Sequence, residues 1–259
     1  MKRSIKIADL YDFPEIYDER FTDGANQAYK QHYEKMLVGK SLRSILDCSF
    51  GTGNLTFPLL ELGYEVSGSD ISAPMLEKAA KKAREKGFDV PLAQCDFREL
   101  SGHFDRKFDC VMSTGSALGH VTNADVLKTI HEMDKCIVPG GWLYFDSRNW
   151  DAAPKNANRF IIPQPFYKED GTRIGCVQVW DYNADGTITI NIVHSYEKGR
   201  RIFDTNNFQE HLHPFSLETV KTELHNMGYS QPEIRPCPWF EDKPFDEIGW
   251  YCLMARKPG

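Results

Sequence analysis

One stretch limits the fold more than any other: residues 44–72, SILDCSFGTGNLTFPLLELGYEVSGSDIS. It opens with a short apolar run ending at Asp47. Gly51 and Gly53 then bracket a single threonine, a helical period follows, and a second apolar run ends at Asp70. That is strand, turn, helix, strand. Two such strands joined by a helix lie parallel, with a right-handed crossover. The glycines permit positive φ and let a ligand approach the backbone closely. The helix beyond them presents N–H groups with no partner inside the helix. The stretch therefore reads as half of a nucleotide-binding fold.

The alternation continues along the chain. The spacing predicts helices over 73–86, 124–137 and 217–227, and strands over 44–48, 64–69, 90–95, 108–113 and 142–147. Two further strands, over 229–236 and 249–256, close the chain. Strict β-α-β-α order predicts an α/β fold with a doubly wound, mostly parallel, seven-stranded, Rossmann-like sheet. Between 151 and 215 the pattern changes. RIGCVQVWDY and TITINIVHSY alternate with period 2 across Ala184-Asp185-Gly186, and a third strand is expected over 203–213. This predicts an antiparallel β insertion. The resulting division is 1–40 as an N-terminal helical lid, 41–150 as the ligand-binding core, 151–215 as a substrate cap, and 216–259 as the helix and end strands that complete the core. Within 1–40, residues 26–38 have helical spacing. The segment is either a packing arm or a lid with Tyr17 or Arg20 facing the ligand.

Bulk properties exclude several classes. Net charge is -6, and no long Lys/Arg block occurs, so a nucleic-acid partner is not suggested, although an acidic total leaves room for a local basic patch. No apolar run reaches membrane-spanning length, and MKRSIKIADL lacks the apolar segment of a secretory leader. The seven cysteines are dispersed, with no CxxC pair. They read as reduced thiols in a cytoplasmic protein, and no metal site is expected. A redox or metal role is the alternative.

Which ligand the glycines serve turns on the acids. No Gly-Lys-Ser/Thr follows the loop, and the third position of GxGxxG is Thr56. Asp47 lies four residues before Gly51. A carboxylate there repels a pyrophosphate but suits a ligand carrying an ammonium and a sulfonium. Asp70 lies 17 residues past Gly53, within reach of both hydroxyls of a ribose. Asp96 and Phe97 follow the third strand, placed to accept from an adenine amino group and to pack on the ring. Ser113 ends the fourth strand. Asn54 and Ile71, next to the glycine loop and to Asp70, complete the expected set. The plainer readings are a turn or helix cap for Asp47 and an N-cap for Asp70. In a doubly wound sheet, ligand residues come from the carboxyl ends of strands, and Asp47, Asp70, Asp96 and Ser113 all sit at such ends.

ILDCSFGTG, GYEVSGSDIS, QCDFREL, FDCVMS and IVPGGWLYF together resemble the successive motifs of class I S-adenosylmethionine-dependent methyltransferases. The resemblance spans about 40–150. STGSALGHV and FDSRNWD are similar to the corresponding segments of the glycine and sarcosine N-methyltransferases. The resemblance implies S-adenosylmethionine as cofactor, with Arg148 matching the arginine that holds the substrate carboxylate there. It also implies an insertion where 151–215 stands. The family's asparagine after the fourth strand is Ser116 here, which puts glycine itself in doubt as the acceptor.

Methyl transfer is an in-line displacement in which the protein orients the partners and excludes water. An amine acceptor must arrive with a free lone pair, so His120, Tyr182 and His194 are candidates to take up a proton or a hydrogen bond. His120 leads them; a packing role is its plain alternative, as a surface ion pair is for Arg148. Trp150, Phe166, Tyr167, Trp180, Tyr182, Trp239 and Phe240 are aromatic candidates for a substrate pocket. The expected function is transfer of a methyl group to a small-molecule amine or amino acid. The alternatives are O-methylation of a small hydroxylated metabolite and a non-catalytic cofactor-binding module. The sequence leaves the oligomeric state open.

Overall fold

The computed structural model describes all residues except 1–8, 20, 22, 153–158, 237 and 239–242. In chain order its helices are α1 (Pro14–Asp18), α2 (Asp23–Leu37), α3 (Phe57–Glu61), α4 (Ala73–Glu85), α5 (Asn123–Lys135) and α6 (Leu217–Asn226). Its strands are β1 (Ser44–Asp47), β2 (Glu65–Asp70), β3 (Leu92–Gln94), β4 (Phe108–Ser113), β5 (Ile137–Arg148), β6 (Phe160–Ile161), β7 (Phe166–Tyr167), β8 (Arg173–Tyr182), β9 (Ile188–Lys198), β10 (Arg201–Leu212), β11 (Glu233–Pro236) and β12 (Trp250–Arg256). The chain divides into two compact units. One is 21–153 with 215–259, and the other is 1–20 with 154–214. The residues grouped above as an N-terminal lid are thus shared between the two units.

The larger unit is a seven-stranded sheet in the order β11-β12-β5-β4-β1-β2-β3. β12 alone runs antiparallel to its neighbours. Alternate residues of the central strands face opposite sides. Leu46, Val111, Leu143, Phe145 and Leu253 meet α5 and α6 in one cluster. Ile45, Cys110, Met112, Tyr144 and Met254 meet α2, α3 and α4 in the other. Both faces are therefore covered, as an almost wholly parallel sheet requires.

Local chemistry sets the helix ends. Ser72 caps α4, its Oγ accepting from the Met75 N–H at 3.3 Å, and Met75, Leu76, Ala79 and Ala83 form the buried stripe. The helix stops where Gly87 takes φ +77°. Phe88 N–H then donates to Ala83 O at 2.9 Å and Gly87 N–H to Arg84 O at 3.1 Å, the paired bonds of a Schellman stop. Two boundaries differ from the sequence expectation. α3 begins at Phe57 rather than next to Gly53, because Gly51 and Gly53 adopt φ +55° and +82° and the chain keeps turning to Thr56. β5 begins at Ile137, ahead of Pro139-Gly140-Gly141. That tripeptide was expected to stop α5, but the helix already ends at Lys135, and the strand absorbs the tripeptide as an irregularity in its pairing with β4.

The smaller unit is an antiparallel sheet in the order β10-β9-β8-β6, with β7 also paired to β8. The β8–β9 hairpin turns through Gly186 at φ +85°, where Asp185 accepts from the Thr187 N–H at 3.0 Å. Phe13 packs beside Phe208, ring centres 5.7 Å apart, and joins the N-terminal residues to this sheet. Among the described residues no helix is long and apolar enough to cross a membrane.

Candidate functional site

The carboxyl ends of β1, β2, β4 and β5 converge in the larger unit, and the loops leaving them carry its polar chemistry. The first is the glycine loop. A side chain at Gly53 would sit 2.7 Å from the Phe57 ring, whereas one at Gly51 would meet nothing within 4 Å. The loop is thus packed tightly beneath Gly53 and open at Gly51.

Four carboxylates stand at or near the carboxyl ends of β1, β2, β3 and β5, and their hydrogen-bond partners separate them. An ionised carboxylate offers about four acceptor positions. Asp47 is fully buried. It accepts from Ser49 N–H at 3.0 Å, Ser49 Oγ at 3.3 Å, Thr56 Oγ1 at 2.5 Å and Thr114 Oγ1 at 2.8 Å. The one Ser49 hydroxyl proton also has Thr114 O within 3.0 Å, so the other three donors are the ones that tie Asp47 to its surroundings. Burial pushes its carboxyl above the usual range, against these donors. Asp96 is likewise occupied: Arg98 engages both its oxygens through Nε at 3.0 Å, and Asp96 caps the Arg98 N–H at 2.8 Å. Arg98 therefore holds its carboxyl low. Asp47 and Asp96, both expected to face the ligand, make these internal contacts in the structure.

Asp70 differs. It accepts from Gly51 N–H at 2.8 Å and Ser72 N–H at 2.9 Å, with the Ile71 N–H as a further donor, leaving about one position free. Burial raises its carboxyl, and the N–H groups of Ser72, Gly51 and Ile71, with the charge of His120 after them, oppose that rise. Beside it the Ile71 side chain is 66% exposed. An open glycine, a carboxylate with a position free and an exposed apolar side chain thus stand together. They fit a ribose diol with an adenine ring beside it.

Asp146, on β5, was not singled out by sequence reasoning, although it lies inside FDSRNWD. It is fully buried. It accepts from Ser116 N–H at 2.8 Å, Gly115 N–H at 3.1 Å and Trp250 Nε1–H at 3.0 Å. Burial raises its carboxyl to about 6. Gly115 and Ser116 both take positive φ, +74° and +59°, so their N–H groups point the same way and form a small anion-binding concavity. Arg148 ends β5. Its N–H donates to Ser116 Oγ at 3.1 Å, and its guanidinium lies 5.1 Å from the centre of the Trp250 ring. Trp250 stands opposite Arg148 in the β5–β12 register. Only the topology reveals that placement, since nothing in the local sequence marks Trp250.

The other expected residues scatter. Ser113 is fully buried, 3.2 Å from Ser49 Oγ. Asn54 accepts from Lys82 Nζ, and Phe97 packs against the core. Trp150 stacks over Gly119, its ring 3.3 Å from where a Cβ would stand. Tyr17 and Tyr182 belong to the smaller unit, where Tyr17 pairs with Tyr11 and Tyr182 with Trp180. His194 is buried there against Phe208. Phe166 and Tyr167 form β7 of the same unit. Arg20, Trp239, Phe240 and Cys237 lie outside the described residues. Cys48, Cys95, Cys110, Cys136 and Cys252 are buried, and burial raises their thiols well out of the nucleophilic range. No cluster of three or more metal-ligating side chains occurs among the described residues.

Comparison with known proteins bears on this geometry directly. Residues 45–141 match the family described as "Methyltransferase domain". A glycine/sarcosine N-methyltransferase of Halorhodospira halochloris is 36% identical over 156 residues, covering 56% of this chain and 58% of the relative. A demethylmenaquinone methyltransferase of Thermus thermophilus is 32% identical over 140 residues, covering 53% and 60%. The match thus spans little more than half the length of these relatives. An S-adenosylmethionine-dependent methyltransferase from Clostridium acetobutylicum, 19% identical, superposes with a TM-score of 0.77 over 96% of this chain and 99% of its own. The strand order, the open Gly51 and the acceptors of Asp70 agree with these likenesses: residues 45–141 match a methyltransferase domain, and the fold is the one seen in S-adenosylmethionine-dependent methyltransferases.

Proposed function

We propose that the chain is a methyltransferase for a small-molecule acceptor, an amine or amino acid bearing a carboxylate. The observation that carries this reading is Arg148. It places a permanent positive charge at the carboxyl end of β5, over the Trp250 ring and one hydrogen bond from Ser116. A planar guanidinium binds a carboxylate through two parallel hydrogen bonds. The 36% identical relative is, by its name, a glycine/sarcosine N-methyltransferase.

S-adenosylmethionine, when bound, supplies the methyl group and a sulfonium leaving group. The chain does the rest by placement. Asp70 accepts from the ribose hydroxyls, Ile71 covers the base, and the open face of Gly51 lets the ligand approach the backbone. Arg148 fixes the acceptor by its carboxylate. His120, close enough to Asp70 to act on its carboxyl, in its neutral form takes up the proton that an ammonium must lose before its nitrogen can attack. The buried thiols fit a reducing, cytoplasmic setting.

The test is methyl transfer from labelled cofactor to a panel of glycine, sarcosine, larger amino acids, amines without a carboxylate, and phenols. Transfer to carboxylate-bearing amines is expected. Arg148→Ala should lower kcat/KM for them about 100-fold, the worth of roughly 3 kcal/mol for a bidentate charged pair, with cofactor affinity unchanged. Transfer only to phenols would sink the reading, and cofactor binding without turnover on any acceptor would replace it with a binding module.

A further inference from the structure

Asp146 costs the fold something. It is a fully buried carboxylate, and nothing in the cofactor's expected contacts calls for it. Its three hydrogen bonds show what it holds. Two come from successive backbone N–H groups, Gly115 and Ser116, on the loop after β4. The third comes from the indole of Trp250 on β12. Ser116 is one of two non-glycine residues with positive φ among the described residues. A residue with a Cβ occupies that region only where its surroundings enforce it, and here the enforcing group is the Asp146 carboxylate. The same Ser116 then accepts the Arg148 N–H through its Oγ, while the Trp250 ring lies beneath the Arg148 guanidinium. The contacts form a closed ring: Asp146 to Ser116, Ser116 to Arg148, Arg148 to Trp250, and Trp250 back to Asp146.

We propose that Asp146 is a positioning residue for the acceptor: it fixes the Ser116 loop and the Trp250 platform, and through both it aims Arg148. This rests on Arg148 binding a carboxylate. Asp146 itself has no exposed surface with which to touch the acceptor. Asp70 and Gly51 lie outside the ring of contacts, so cofactor affinity is expected to be independent of it.

Acetate, as the bare carboxylate, tests this without knowledge of the true acceptor. The protein is labelled with 15N at its indoles and saturated with S-adenosylhomocysteine. Acetate is then titrated while the Trp250 indole resonance is followed. Wild type should give a saturable shift. In Asp146→Asn the acetate dissociation constant should rise at least tenfold, with S-adenosylhomocysteine affinity within twofold of wild type. Arg148→Ala should weaken acetate similarly, and the double variant should be little worse than either single one, because both act through one contact. Should Asp146→Asn fail to fold, Trp250→Phe keeps an aromatic side chain, though a smaller one, and removes the N–H that Asp146 accepts; the Trp150 indole then serves as reporter, with the same weakening expected. If Arg148→Ala weakens acetate but Asp146→Asn or Trp250→Phe does not, this inference falls and the carboxylate reading stands. Fully additive losses, or an equal loss of S-adenosylhomocysteine affinity, also overturn it. If wild type shows no saturable shift, or Arg148→Ala changes nothing, the carboxylate reading falls and takes this one with it.

Discussion

Asp47 and Asp70 are the same residue type at the ends of adjacent strands, yet their expected deletion phenotypes are opposite. Asp70 has about one acceptor position to spare. Asp70→Ala should weaken S-adenosylhomocysteine about 100-fold, since it loses its charge-assisted bonding to the ribose and releases Gly51. Calorimetric titration measures this, and an affinity within twofold of wild type would count against the ribose role. Asp47 is fully buried and tied to internal donors. Asp47→Ala strands the donors of Ser49, Thr56 and Thr114 and should cost roughly 3 kcal/mol of stability, read by denaturant unfolding. Sequence reasoning placed both acids at the ligand end of the sheet, because strand ends are legible from pattern. It did not separate them. The donors that tie Asp47 come from positions 49, 56 and 114, and no local pattern predicts which hydroxyls converge. Asp146 was missed for the same reason: its partners lie about 30 and 104 residues away.

At the scale of elements, legibility follows how local the controlling chemistry is. α4 was readable at both ends because its cap and its stop are set within a few residues. Gly87→Ala tests the stop. A Cβ there would meet no neighbour within 4 Å, so any loss reflects backbone strain at positive φ alone, about 1 kcal/mol. A thermal melt unchanged by the substitution would show that the Schellman geometry is not needed. The start of α3 was less readable. GTGN looks like a helix entrance, but Gly53 is held by packing against Phe50 and Phe57, contacts that exist only once β2 lies alongside. β5 was misjudged by five residues for a related reason. Pro-Gly-Gly reads as a break, yet a strand with neighbours on both sides accommodates it.

The whole molecule responds to acid through buried groups. His32, on α2, is held by burial at a pKa of about 4 against an ordinary 6.5, its Nε2 3.2 Å from the Tyr144 hydroxyl. Between those values the unfolded chain binds the proton and the folded chain does not. Stability therefore falls as pH drops from about 6.5 to 4, by as much as roughly 3 kcal/mol. Asp146 acts in the opposite sense. Its raised folded pKa of about 6 means that the folded state takes up a proton first, which offsets part of the loss below pH 6. Unfolding of wild type and His32→Gln, compared from pH 7 to 4, separates the two. The variant should lose less stability on acidification, and parallel curves would refute the assignment. The mostly parallel, doubly wound character of the seven-stranded sheet was legible from the alternation of elements; its strand order comes from the structure. The division into two units was only half legible. The insertion announces itself by its period-2 strands, but nothing in residues 9–19 announces that they group with it.

The buried Asp47 has a further consequence. Its carboxylate clamps the turn after β1 to the entrance of α3 and to Thr114 on the loop after β4, and that loop continues into Ser116. Whatever settles the first loop therefore also settles the second, so the two ligands of the enzyme should bind with a shared free energy. Thermodynamic reciprocity then requires that S-adenosylhomocysteine tighten acetate by the same factor as acetate tightens S-adenosylhomocysteine. Measuring both factors in one protein checks it, and a coupling factor of one would show that the clamp transmits nothing.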